Sequence, residues 1–347
     1  MAKERRIKDP PGSIRKEQSN SSEEKYPHSK KATGIYDRFI ASTGLQLILI
    51  ILLPLVIYFK VVNYNFILDD ETIIKNNVTS LSQLNNIGEA FKRDAFFRAP
   101  GLSLYQVYRP MQTVSFILDA LISGANPWMY HFTNLLLHVL TCIALYFFLQ
   151  FLNLRKITAF LGTMIYSVHP LLAGNVSWIS ARGDLLIGLL SILLLLTMGY
   201  YYKTNKPILF ILHVLIFLAA VFTKETIIVF PVIMLMFYFL FLKTKGTDKR
   251  IIKNRDKRII KFAAAWILID ALYFAIKMGY FPENHPATVF GIPAFIKNLD
   301  SLPAILSKVF IPISLPLFPF FDTFSVTSGL IIIVLLIYAA ILLYKKK

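Results

Sequence analysis

Apolar blocks of about 15–22 residues, nearly free of charge, recur along this chain. A helix needs about 20 such residues to cross the ~30 Å hydrocarbon layer of a membrane. In lipid, only helices and closed barrels satisfy every backbone hydrogen bond. Barrel strands alternate apolar and polar residues, whereas stretches such as Ile187 to Met198 do not, which selects helices. Composition agrees: 56% of the 347 residues are hydrophobic and the mean hydropathy is +0.58, against about 45–50% apolar residues in soluble domains. The expected fold class is therefore all-α, a polytopic membrane helix bundle.

The net charge of +17 raises the question of nucleic acid, but no nucleic-acid-binding module accompanies it. The charge lies beside the apolar blocks instead. Lys243 to Lys261 holds nine Lys or Arg and two Asp, and the first 38 residues hold ten basic and six acidic residues. Basic connectors next to spans mark the cytoplasmic side and suit an anionic lipid surface. Residues 1–38, polar and rich in Ser, Lys and Glu, are expected to be a disordered cytoplasmic tail, with no cleavable signal and the first span acting as a signal anchor.

Residues 39–347 then form the membrane domain. Spans are expected over Gly44–Val62, Met129–Leu152, Ile157–Val168, Leu185–Tyr201, Pro207–Phe222, Thr226–Leu242 and Phe262–Tyr280. Leu302–Phe321, interrupted by Pro303, Pro312, Pro316 and Pro319, and Leu330–Tyr344 bring the count to eight or nine, with the side of the C-terminus open. The first outer loop covers residues 63–128, and within it Met111–Ser123 is too short to cross and is expected in the membrane interface. Residues 243–261 form a basic cytoplasmic loop.

Several groups then fall on the outer face. Leu68-Asp69-Asp70-Glu71 follows the first span; acids beside a membrane stay wet or find partners, and adjacent carboxylates raise one another's pKa, which suits a general base. Alone, they also fit a solvated helix exit. Arg109, in Tyr108-Arg109-Pro110, is suited either to a bidentate phosphate contact or to headgroup snorkelling. His131, Asn134 and His138 share a helix face, but the two histidines are about 10 Å apart along the axis, too far for one metal ion. His169, Arg182, Asp184, Lys224 and Glu225 complete the set; the last two also read as a plain ion pair. The Arg182-Gly183-Asp184 tripeptide is too short to read as an adhesion motif. The lone Cys142 excludes an intramolecular disulfide or a thiolate cluster. No metal and no cofactor is expected. Asn77-Val78-Thr79 and Asn175-Val176-Ser177 match the N-glycosylation pattern, which is frequent by chance.

In order along the chain, Asn65-Phe66 through Asn77 with its acidic pair, Tyr108-Arg109-Pro110, Asn126-Pro127, Tyr130-His131, Asn134 and Leu137-His138 resemble GT-C fold glycosyltransferases. The likeness continues through His169-Pro170, Val176 to Ile179, Arg182 to Leu185, Lys224-Glu225 with Pro231, Asn284 to Ala287, Phe310-Ile311-Pro312 and Leu315. It is greatest to the membrane part of the transmembrane and tetratricopeptide-repeat O-mannosyltransferases and their bacterial relatives, over roughly Asn63 to Leu317. No tetratricopeptide repeat is read here.

The resemblance implies a polyprenyl-phosphate-linked sugar as donor and a protein or glycan acceptor approached from the extracytoplasmic side. It implies a catalytic base at Asp69, with Asp70 second. Arg109 and Arg182 are then candidates for the donor phosphate, since preorganised cations stabilise an anionic leaving group; His131, His169, Asp184, Lys224 and Glu225 are expected to support them. The expected activity is inverting transfer without a metal, in a bacterial inner membrane. A transporter or lipid-handling protein, and a silent scaffold of the same fold, are the alternatives. No repeated halves are found of the kind transporters show.

Overall fold

The computed structural model describes residues 42–96, 107–243, 249–280, 296, 298–313, 315 and 322–345. The tail at 1–38, the Asn284 to Ala287 motif, Pro316, Leu317, Pro319 and the last two lysines lie outside the described residues. The described residues are helical, with no strand among them.

Helix α1, Thr43–Tyr58, starts where the Ser42 hydroxyl accepts the Leu45 amide at 3.2 Å, which satisfies one of the donors that a helix start leaves open. It contains Pro54, which is buried; neighbouring helices make such a proline tolerable in a membrane. The first loop is a chain of short turns that includes α2, Asp69–Ile73, and it leads to α3, Pro110–Ser123. Then come α4, Trp128–Phe151; α5, Lys156–Ser167; α6, Pro170–Ser177; α7, Arg182–Thr204; α8, Pro207–Val221; α9, Phe230–Phe237; α10, Lys249–Tyr280; α11, Ser301–Phe310; and α12, Thr323–Lys345. Pro110, Pro170 and Pro207 each open a helix, a place where the missing N–H costs nothing and the fixed φ helps.

Five runs are long and apolar enough to cross a membrane: Thr43–Asn63, Trp128–Phe151, Ile179–Thr204, Glu225–Leu242 and Lys257–Tyr280. The pair α5 and α6 qualifies together as a sixth, bent by 59° at the break. Pro207–Val221, Ser301–Phe310 and Thr323–Ala339 are apolar but shorter. The expectation that the third span stops at His169-Pro170 is thus modified, because the chain turns there and resumes as α6. The basic segment is helical from Lys249 onward, since Lys and Arg are good helix formers. Among the described residues of the proline-broken block, α11 ends before Pro312.

The main aromatic core lies between α4, α7, α8, α9 and α10 and includes Phe151, Tyr201, Tyr202, Phe217, Phe262 and Trp266. His213 on α8 ties it together: its Nε2 accepts the Trp266 indole N–H at 2.9 Å, while its Nδ1 lies 3.2 Å from the Leu194 carbonyl. Lipid supplies little drive for helices to associate, so close packing must. Gly199 illustrates this, since a Cβ there would overlap the Phe151 ring. A separate core under the first loop joins Ile73, Ile74, Leu81, Phe116, Ile117, Tyr130 and Ile179. It carries the loop's acidic turn.

Candidate functional site

Leu68 has φ +49°, in a region disfavoured for a residue with a Cβ. It directs the chain into α2, whose first two residues are Asp69 and Asp70. Adjacent residues on a helix face different ways, and the two acids part accordingly. Asp70 is buried. Its Oδ1 accepts the Ser180 amide at 2.8 Å and the Ser180 hydroxyl at 2.5 Å, and its Oδ2 accepts the Ile67 amide at 3.2 Å. Burial raises its pKa above the usual carboxylate range, against the hydrogen bonds from Ser180 and Ile67 that favour the ionised form. Asp69 is exposed and makes no ion pair among the described residues.

Asp69 opens onto a cavity of about 230 Å³ that is also lined by Arg109, Gln112, Ser180, Asp184 and Lys224, with Trp178 as a wall. Four separate segments deliver these groups. The Met111 amide donates to the Phe222 carbonyl at 3.0 Å, which brings the start of α3 against the turn holding Lys224 and Glu225. Arg109 grips the Glu225 carboxylate with both ends of its guanidinium, Nη2 at 2.7 Å and Nε at 3.2 Å. Lys224 reaches the other way, to Asp184 Oδ1 at 2.5 Å. Both cations of the cavity therefore face carboxylates at its rim.

Arg182 lies beneath this arrangement, not in it. Its side chain is fully buried. Nη1 approaches Asp119 at 2.5 Å, Nε donates to Asn134 Oδ1 at 2.8 Å, Nη2 donates to the Tyr130 carbonyl at 2.7 Å, and the Phe116 ring covers it at 4.6 Å. The Asp119 contact is a close ion pair rather than an aligned hydrogen bond. Burial raises the Asp119 pKa, and the charge of Arg182 and the Thr133 hydroxyl offset this only in part. The tripeptide Arg182-Gly183-Asp184 thus faces three ways: Arg182 inward to Asp119, Asp184 outward to Lys224, and Gly183 toward Gln112, where a side chain would crowd. A Cβ at Gly183 would come within 2.7 Å of Gln112 Oε1.

The other expected residues fall elsewhere. His131 is buried with its ring edge-on to Tyr64. His138 is buried too, with Nε2 2.9 Å from the Ser167 carbonyl. His169 caps α6: its Nδ1 accepts the Leu171 amide at 3.2 Å, so its Nε2 carries the proton and donates to the Val309 carbonyl at 2.9 Å. The structure therefore brings together Asp69, Arg109, Asp184, Lys224 and, through Arg109, Glu225. Asp70, Arg182, His131 and His169 do not line the cavity. Gln112, Asp119 and Ser180 were not anticipated. Gln112 and Asp119 lie seven residues apart, on the buried face of α3, and polar residues on the apolar face of an amphipathic helix were the available signal. Among the described residues, no three of His, Cys, Asp and Glu converge as metal ligands.

Known proteins extend this picture over part of the chain. It is 30% identical over 160 residues to Protein O-mannosyl-transferase TMTC2 of Homo sapiens, covering 44% of this chain and 19% of that protein. It is 29% identical over 157 residues to Protein O-mannosyl-transferase TMTC1 of Homo sapiens, covering 42% and 18%. Protein O-mannosyl-transferase Tmtc1 of Drosophila melanogaster is 27% identical over 180 residues, covering 51% and 20%. The match thus spans about a fifth of the length of these relatives. No family model matches, and no solved structure matches. The resemblance to O-mannosyltransferases read from the motifs stands, and the chain is that of an integral membrane protein.

Proposed function

We propose that this chain is a membrane glycosyltransferase that moves a sugar, mannose by likeness, from a polyprenyl phosphate to a hydroxyl of a protein acceptor on the extracytoplasmic side. The observation that carries the reading is the cavity that Asp69, without an ion pair among the described residues, lines together with Arg109 and Lys224. A carboxylate and two cations drawn from distant segments are what a displacement at a sugar phosphate requires.

In the step we assign, the Asp69 carboxylate takes the proton of the acceptor hydroxyl. The hydroxyl oxygen forms a bond to the anomeric carbon from the face opposite the phosphate. The bond between that carbon and the phosphate oxygen breaks, and the sugar's configuration inverts. The leaving phosphate gains a negative charge, which Arg109 and Lys224 offset. Arg109 is suited to this because its planar fork matches phosphate oxygens as well as it matches Glu225. Arg182, with its donors engaged below the cavity, acts in this reading as a positioning residue. So does Asp70, which holds the Ser180 segment and thereby the orientation of Asp69. The basic connectors at the opposite ends of the spans support an extracytoplasmic site.

The test is Asp69→Asn, assayed at equal membrane expression with polyprenyl-phosphate mannose and an acceptor protein. The amide keeps size and polarity but cannot act as a base, so transfer should fall roughly 10²–10⁴-fold. Near-normal turnover of the variant would remove Asp69 from the chemistry.

A further inference from the structure

The polar groups that line the Asp69 cavity have partners or roles, with one left over. Arg109 is engaged by Glu225, and Lys224 by Asp184. The Ser180 hydroxyl donates to Asp70. Asp69 is the base assigned above. Gln112 remains. It stands in the first turn of α3 and is 2% exposed, yet it lines the cavity. Its Nε2 donates to the Ser180 carbonyl at 3.0 Å. A carbonyl only accepts, so this bond fixes which end of the carboxamide is nitrogen. The other end, Oε1, is buried and has no hydrogen-bond partner among the described residues. A buried acceptor without a donor is costly to keep.

The backbone of α7 leaves room for this oxygen. A Cβ at Gly183 would lie 2.7 Å from Oε1 and 3.7 Å from Lys224 Cδ. The free acceptor therefore sits against α7, on the side of the cavity where the Lys224 stem runs. Trp178, which lines the same cavity, carries the complementary group: its indole N–H is buried and also lacks a partner among the described residues. An unfilled acceptor and an unfilled donor thus border one small volume, about 230 Å³. Sites for whole small molecules run from about 300 to 1,000 Å³, so this one suits the reacting end of a larger ligand.

The step assigned above narrows what can satisfy Oε1. The acceptor hydroxyl has one proton, and that proton goes to Asp69. The leaving phosphate is ionised and offers none. The other hydroxyls of the transferred sugar do not react, and each is a donor and an acceptor at once. We infer that Gln112 reads the transferred sugar, its Oε1 accepting a hydrogen bond from one hydroxyl of the ring that moves, while Gly183 keeps the place of that oxygen open. The inference rests on the glycosyltransferase reading above. It makes Gln112 a specificity-determining residue that touches the sugar away from the bond being broken.

The experiment compares kcat/KM in lipid nanodiscs for polyprenyl-phosphate mannose and for each of its monodeoxy analogues, with one acceptor protein. The wild-type chain should lose about tenfold or more on one analogue, because a site built to hydrogen-bond a hydroxyl rejects the sugar that lacks it. Gln112→Met, similar in length but without the amide, should lose about as much on the complete sugar and nothing further on that analogue. Gly183→Ala, which crowds Oε1 and leaves the Gln112 side chain in place, should shrink the same preference. General damage to the fold would lower every donor alike and could not erase a single ratio. Equal use of all the donors by the wild-type chain would overturn the inference without any variant. So would wild-type discrimination in Gln112→Met, a uniform loss on every donor, or a loss confined to the KM of the acceptor; each leaves the enzymatic reading intact. Absence of transfer from any donor by the wild-type chain would overturn the enzymatic reading and this inference with it.

Discussion

The layer beneath the Asp69 cavity, called here the floor, and the cavity's rim each carry an arginine paired with a carboxylate, yet the two pairs are built for different purposes. On the floor, Arg182 and Asp119 are 0% and 4% exposed, and the guanidinium is also held by Asn134 and Tyr130. On the rim, Arg109 and Glu225 are 21% and 45% exposed. A buried charge cannot give up its partner without a large cost, whereas a rim pair worth about 0–1 kcal/mol can exchange its carboxylate for another oxyanion. The floor is therefore a fastening and the rim a set of exchangeable contacts. Lys224 and Asp184, 18% and 43% exposed, belong with the rim.

Breaking the floor should have the largest effect. Arg182→Ala leaves Asp119 buried and uncompensated, a loss of about 3–5 kcal/mol, read as a lowered Tm of the detergent-solubilised protein. Replacing both partners together, as Arg182→Met with Asp119→Leu, should recover much of that loss, since apolar residues of similar volume often match a buried pair. If the double variant is no more stable than the single one, the floor is not a pairwise fastening.

The rim should respond in rate and not in stability. Arg109→Ala should lower transfer by about 10²–10³-fold, the usual size for losing one preorganised donor at developing charge, with Tm nearly unchanged. Arg109→Lys should restore it only in part, because a point charge lacks the fork. A fall in Tm as large as that of Arg182→Ala would erase the distinction between rim and floor.

Much of this division escaped the sequence for a physical reason. The helix positions were legible: Met111–Ser123 was expected and Pro110–Ser123 is observed, because the apolar stripe and the proline are local signals. Asp69, Arg109, Asp184, Lys224 and Glu225 fall on the outer face in the sequence, but Asp70, His131, His169 and Arg182 fall there with them, and nothing local separates the two groups. Which of two neighbouring acids is buried was not legible either, because Asp70 owes its burial to Ser180, 110 residues away. Arg182 was read as a phosphate ligand for the same reason: its partner Asp119 lies on another helix, and neither residue announces the other.

The smallest expected effect concerns Asp70. Its folded pKa is raised, so between the ordinary carboxylate pKa and the higher folded value the native state holds more protons than the unfolded one. Stability attributable to this group therefore falls as pH rises through that window. Asp70→Asn should flatten that decline in a series of unfolding curves from acidic to neutral pH. An unaltered slope would mean that Ser180 and Ile67 fully offset the burial, and would set Asp70 closer to the rim in character.

The Arg182-Gly183-Asp184 contacts also fix the rotational setting of α7. Each helical residue advances about 100° around the axis, so removing or adding one residue before Leu185 would swing the inward cation to the side and the outward acid elsewhere. Near its other end, Thr197 on the same helix lies 3.1 Å from His213 on α8. A helix keyed at both ends resists twisting, so adding or removing one residue between Asp184 and Thr197 should be tolerated poorly.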